Sequence, residues 1–197
     1  VNLFYLDHDL DKCAEYHIDR HVGKMILEAA QLLTTTIWID KLLGYVPRKL
    51  NREELDVIND AKRMEPSIDD RTFTRYLPTH YSHPSAIWVR SSLEHYYWTV
   101  NYANALNDEG IYRGYKPHAS CAEVNRMPEP TRLPDAGWCT PTLAMPDQLK
   151  SDDAVASYRK FYMLDKGPFA SWKRRGKPDW WDDDAVAAQA GRISGRS

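Results

Sequence analysis

Apolar residues recur at Ile18, Val22, Met25, Ile26, Ala29, Leu32 and Leu33, the i, i+3, i+4 spacing that predicts an amphipathic helix. The pattern runs from about Lys12 to about Ile39, with Asp9 or Asp11 as its cap and Gly44-Tyr-Val-Pro47 as the turn beyond it. Asn51 precedes a more weakly patterned, highly charged helix to about Met64, and the polar stretch from Glu65 to Ser82 reads as loop. Ser82-His83-Pro84 joins a cap candidate to a proline in the first turn, and helical spacing then continues to Gly110, a suitable stop. The segment 111–150, punctuated by Pro117, Pro128, Pro130, Pro134, Pro141 and Pro146, reads as an ordered connection over the surface. Ser151 starts a third helix to about Lys166, which Gly167-Pro168 breaks before an aromatic and basic stretch, Phe169 to Trp181. The opening residues read as a strand or a buried extended segment, and those from about Asp182 as frayed. Together these elements predict a mainly α fold. A single-domain helical bundle would span 1–181, with a short N-terminal extended segment and a long Pro-rich connection, followed by a flexible tail at 182–197.

A polar pattern lies beside the apolar one on the first helix. At about 100° per residue, His17, His21, Lys24, Glu28 and Gln31 share a narrow arc. The rest of the surface carries Tyr16, Gly23, Leu27 and Ala30 in place of the charged solvent face of an ordinary amphipathic helix, so the stripe is expected to face a site. Two histidines, a lysine and a carboxylate supply a general acid, a general base and an electrostatic clamp. His17, His21, Lys24 and Glu28 are therefore the candidate catalytic residues, with Gln31 as a substrate contact. A structural account stands beside this one: Glu28 pairs with Lys24 and the histidines satisfy buried carbonyls. His17 and His21, at i and i+4, could also bind a metal with His80, His83, His95 or His118 as third ligand. The H-E-x-x-H motif is absent and Lys24 would repel a cation, so no metal or cofactor is expected.

On the second long helix Arg90, Glu94, Tyr97, Asn101 and Asn104 form another narrow polar arc, which predicts a pocket between the two helices. Arg90 suits a phosphate or carboxylate, and Asn101 an amide or base edge; a buried Arg90-Glu94 pair explains the same spacing. His83 would sit at the helix N-terminus, either near bound anions or as a cap. Tyr158, Arg159, Lys166, Trp172 and Lys173 interleave cations with flat rings, as a nucleic-acid surface needs, although the rings are also plausible core residues. Asp147 precedes the third helix and is a candidate further carboxylate.

Composition changes this picture little. Hydrophobic residues make up 43% of the 197-residue chain and charged residues 27%, which is globular, and no apolar run suffices to span a bilayer. Three widely spaced cysteines without a C-x-x-C pair, and a start without a basic signal region, predict a cytoplasmic protein, in the host cytoplasm if viral. A formal charge of -2 confines any nucleic-acid contact to a local basic patch. No P-loop, G-x-G-x-x-G or G-x-S-x-G appears, so nucleotide hydrolysis, dinucleotide redox chemistry and serine-hydrolase chemistry lack support.

Phe4-Tyr-Leu-Asp7, the run Tyr16-His-x-Asp-Arg-His-x-x-Lys-Met-x-x-Glu-x-x-Gln31, His83-Pro-x-x-x-Trp88, Ala144-Met-Pro-Asp147, and Tyr158-Arg-x-x-Tyr162 with Trp172-Lys173 resemble a family common in bacteriophage genomes. The resemblance spans about residues 1–181; Arg20 replaces an expected lysine and Gly23 a larger apolar residue. It implies thymidine hypermodification of viral DNA, which evades host restriction: a transferase would let a small amine or amino acid displace an activated group on the thymine methyl carbon. Lys24 and Arg90 would hold the leaving phosphate, and Glu28 or a histidine would deprotonate the amine. His83, His118, Asp147 and the aromatic-basic segment would contact substrate or DNA. The order of elements is also similar to that of the pyrimidine-dimer DNA glycosylases, which implies a glycosylase/lyase as the alternative activity. A non-catalytic DNA-binding or host-interaction protein is the third expectation. DNA is the expected partner of either enzyme, with a small amine or amino acid as a possible co-substrate and no membrane association.

Overall fold

A computed structural model describes residues 1–65 and 71–194, with side chains through 188. Residues 66–70, part of the expected loop, and 195–197, the end of the expected tail, lie outside the described residues. The chain opens with an extended segment whose Leu3, Phe4, Tyr5 and Leu6 are buried, as their apolar run predicts. Helices α1 (Leu10–Tyr16), α2 (Asp19–Leu43), α3 (Arg52–Met64), α4 (Pro84–Val89), α5 (Leu93–Tyr112), α6 (Ala119–Val124), α7 (Ala154–Lys166) and α8 (Asp183–Ser194) follow. The described residues contain no β-strand, so the mainly α expectation holds. No helix among them is long and apolar enough to cross a membrane.

The central element is α2, which packs against α3, α4, α5 and α6. Its second half, Leu32 to Asp40, is buried on every side. Thr35 and Thr36 tolerate this because their hydroxyls donate to the Gln31 and Leu32 carbonyls one turn back. Gly44 ends the helix in the left-handed region at φ 73°, and Asn51 opens α3 with a capping box to Glu54.

Three expectations are corrected. The first long helix is two helices, as is the second, and the chain from Asp182 is largely helical. At the first break, the Nδ1 of His17 lies 2.7 Å from the Cys13 carbonyl, which an unbroken helix would pair with the His17 backbone N–H. That N–H turns to Ala14 O, and the Ile18 N–H donates to the Tyr162 hydroxyl. The ladder therefore stops and restarts at Asp19, a favourable residue at a positive helix end. At the second break Ser91 Oγ donates to Trp88 O, Ser92 caps α5, and the Leu93 N–H donates to Pro134 O. Apolar periodicity crosses both breaks because the two pieces bury the same side of the chain. Within 111–150 the short helix α6 is a further element that the proline pattern concealed.

A network of buried charges ties the ends together. The Arg113 guanidinium meets Asp19 at 3.0 Å and Glu109 at 2.6 Å, and Arg175 binds Glu109 at 2.8 Å. Asp19 also accepts from Ser171 Oγ and the Lys173 N–H, which pins the 171–175 segment to the start of α2. Arg113 and these hydrogen bonds hold the Asp19 carboxyl below its ordinary value although burial opposes them.

Candidate functional site

The stripe divides where the helix breaks. His17 leaves the α2 register, is fully buried, and lies between the Cys13 carbonyl and the Tyr102 hydroxyl at 2.7 and 2.9 Å. Burial lowers its pKa to about 4. Both ring nitrogens are engaged, so the expected catalytic role is replaced by a structural one, and the His17/His21 metal pair loses a ligand. His21 is also buried, stacked on Phe4 at 5.3 Å and edge-on to Tyr162. Burial lowers its pKa to about 3, and the positive charges of Lys166, Lys24 and Arg20 act in the same direction. Its imidazole is neutral beneath those cations. Among the described residues no group of three or more His, Cys, Asp or Glu is placed to hold a metal ion.

Lys24 and Glu28 keep their place. Their side chains meet at 3.5 Å, with Lys24 57% exposed and Glu28 14% exposed, so the carboxylate is sheltered and the ammonium faces solvent. The second carboxylate oxygen accepts the Asn2 N–H at 2.8 Å. Asn2 is held in turn: its amide donates to Ala144 O, and its side-chain oxygen receives the Leu3 N–H and lies 3.3 Å from the Tyr158 hydroxyl. Burial of Leu3 to Leu6 anchors the opening segment, and the Ala144 carbonyl holds the Asn2 side chain while the Asn2 N–H reaches Glu28.

A third segment completes the cluster. Thr79 exchanges hydrogen bonds with the Thr35 hydroxyl on α2 at 2.7 and 3.0 Å, which anchors the loop 78–83 two turns beyond Glu28 and one beyond Gln31. The loop turns through His80, whose φ of 56° is the only positive value of a non-glycine among the described residues. Strain of this kind persists where the surroundings enforce it and is concentrated at functional sites. Burial lowers the pKa of both His80 and His83, while the Glu28 charge opposes the shift on each. The two rings lie 6.4 Å apart. His83 caps α4, one of the two roles expected of it: its Nδ1 accepts the Ser85 N–H at 3.1 Å. A neutral His83 with Nδ1 so occupied carries its proton on Nε2 and is a hydrogen-bond donor there.

Other expected contacts fall elsewhere. Arg90 caps the C-terminus of α4 and is 2% exposed, donating to Pro47 O and Arg48 O, too deep to hold a phosphate at Glu28. Tyr97 and Asn101, with Glu94, lie exposed on α5, and Asn104 pairs with Asn125. His118 caps α6 and rests against Gly23, its ring carbon 3.5 Å from where a β-carbon would stand. The Asp147 side chain is 94% exposed and pairs with Lys150 at 2.7 Å. Tyr158 is buried and donates to Thr142 O. Arg159 holds Leu6 O and Asp7 between the Tyr16 and Trp180 rings. Trp172 is buried with its N–H on Tyr16 O, and the Lys173 side chain is exposed. These last four mostly bind the chain to itself.

Lys166 remains at the rim, over the Phe4 ring and paired with Asp165, and Arg20 lies over Phe169, which is 39% exposed. A groove of about 420 Å³ between the Pro146–Leu149 turn and α7 adds Lys160 and Phe161. Sequence reasoning missed Asn2, Asp19, Glu109 and Arg113, and it named His80 only as a metal ligand. Asp19 and His80 had a signal, the H-x-D-x-H spacing and the loop's second histidine; the others had none. Compared with family models, curated proteins and solved structures, the chain matches none of them.

Proposed function

We propose that the chain is an enzyme acting on a pyrimidine base in DNA, transferring a small amine or amino acid to an activated thymine methyl carbon. The observation that carries this reading is one of adjacency. The sheltered Glu28 carboxylate and Lys24 share α2 with Arg20 and His21; Arg20 lies over the exposed Phe169 ring, Lys166 at the end of α7 lies close enough to His21 to affect its charge, and His83 at the start of α4 is close enough to feel the Glu28 charge. Cations and exposed rings meet phosphates and unpaired bases, and a base must leave its stack before its methyl group can be reached.

In this reading Glu28 removes a proton from the incoming ammonium group, and the freed nitrogen lone pair forms a bond to the methyl carbon. The carbon–oxygen bond to the activating phosphate breaks, and its electron pair leaves with the phosphate. Lys24 and the Nε2–H of His83 stabilise the charge on that leaving group. The test is to incubate the protein and amino acids with duplex DNA bearing 5-(phosphoryloxymethyl)uracil, then digest and weigh the nucleosides. A nucleoside heavier than 5-hydroxymethyldeoxyuridine by one amino-acid residue supports the proposal, and its absence with every amine tried overturns it. Glu28→Gln is expected to abolish the product.

A glycosylase/lyase reading is favoured by a separate contact, the 2.8 Å bond from the Asn2 N–H to Glu28, which sets residue 1 beside the carboxylate. An α-amine carried on Val1 would stand where a Schiff base with an abasic sugar could form. Borohydride trapping of the protein on dimer-containing or abasic DNA distinguishes this reading, because the transferase forms no reducible adduct.

A further inference from the structure

A cavity of about 470 Å³ opens between α4, the start of α5 and the 134–142 segment, with Arg48, Trp88, Arg90, Ser91, His95 and Cys139 in its wall. The volume falls in the range of small-molecule sites. Cys139 is a free, exposed cysteine, and its Sγ lies 3.4 Å from the Nε2 of His95. The imidazole is held on its other side: Nδ1 lies 3.0 Å from both Trp88 O and Ser91 Oγ, and the ring stacks on Trp88 at 4.2 Å. A carbonyl only accepts, so Nδ1 carries the ring proton and Nε2 is the acceptor; its lone pair takes the Cys139 backbone N–H at 3.0 Å, with the Sγ of the same residue competing for it at 3.4 Å. Nucleophile, base and orienting acceptor are thus in the order that thiol catalysis uses.

The second observation concerns Arg90. Its Nε and Nη2 are satisfied by Pro47 O and Arg48 O, but its buried Nη1 has no hydrogen-bond partner among the described residues. Burial lowers the guanidinium pKa to about 10, which leaves it charged at neutral pH. A buried charged donor without an acceptor is costly, and an anion entering the cavity would supply the missing one. The apolar faces of Ile87 and Trp88 would cover the rest of such a ligand.

We propose that this cavity is a second site, which binds a small carboxylate through Arg90 and joins it to the Cys139 thiol at a carbon bearing a displaceable group. The thiol proton passes to His95 Nε2, whose lone pair gives up the hydrogen bond from the Cys139 backbone N–H, and sulfur forms a bond to that carbon. The displaced group departs with the bonding electron pair, and the resulting imidazolium is held by the Trp88 carbonyl.

Iodoacetate and iodoacetamide test this directly, since they share an electrophilic carbon and differ in charge. Alkylation of the full chain is followed at each cysteine by peptide mass spectrometry, with Cys13 and Cys121, both buried, as references. The iodoacetate-to-iodoacetamide rate ratio at Cys139 is expected to exceed that of a free cysteine peptide by about ten-fold, the effect of one close, partly desolvated positive charge. Excess acetate should slow the iodoacetate reaction selectively, a measurement that needs no substitution of the structurally engaged Arg90. His95→Gln should lower both rates at Cys139 and preserve their ratio. A ratio equal to the peptide's, or rates unchanged in His95→Gln, would overturn the proposal.

Discussion

Acidification should unfold this protein through His17. The side chain is fully buried and its pKa in the folded chain is about 4, against 6.5 ordinarily. Between those values the unfolded chain binds a proton that the folded chain excludes, so stability falls as the pH drops from 6.5 to 4 and this group causes no further loss below that. The difference of 2.5 in pKa, at about 1.36 kcal/mol for each unit, amounts to roughly 3 kcal/mol, a large share of the 5–15 kcal/mol typical of a domain. His21 acts in the same direction in the same window, because its pKa is lowered to about 3. Urea denaturation at pH 7, 5.5 and 4 measures the loss. In His17→Gln the loss between pH 7 and 4 should be smaller by about 3 kcal/mol, even though the variant starts less stable at pH 7. If that variant loses as much as the parent chain, or if the His17 ring proton resonance titrates near 6.5, the imidazole is not held neutral between Cys13 and Tyr102 as described.

Further outcomes follow from the other contacts. Arg113→Met leaves the Asp19 and Glu109 carboxylates without their buried partner and should cost about 3–5 kcal/mol by urea denaturation, with only part recovered through Arg175. Gly23→Ala places a β-carbon at an ordinary 3.5 Å from the His118 ring and removes a helix-interior glycine, so it should stabilise α2 by up to about 1 kcal/mol. His80→Gly relieves the backbone at φ 56° and should leave stability equal or higher by about 1 kcal/mol; under the proposed function it lowers turnover, which separates strain from misfolding. Replacing Arg20, Lys24 and Lys166 together by Gln should flatten the salt dependence of DNA binding by up to about three units of slope, read from binding curves at increasing salt. An unchanged slope places DNA elsewhere on the surface.

Much of the fold was legible in the chain because local rules decide it. Asp9 and Asn51 cap helices with their own side chains, Gly44 stops α2 by adopting a left-handed turn, and the buried face of α2 follows from its apolar spacing. The shared face of Lys24 and Glu28 also needs only helical geometry. The breaks after Tyr16 and Val89 were not legible, because each depends on a remote acceptor, the Tyr162 hydroxyl for the Ile18 N–H and the Pro134 carbonyl for the Leu93 N–H. Helical spacing therefore placed His17 beside Lys24 when an imidazole-to-carbonyl contact had already turned it into the core. The same holds for the site. Sequence alone named Glu28, Lys24 and His83, but only tertiary contacts brought Asn2 from the chain start and His80 from a loop to the same carboxylate. Those contacts join residues 26 to about 50 positions apart, and no period along the chain records them.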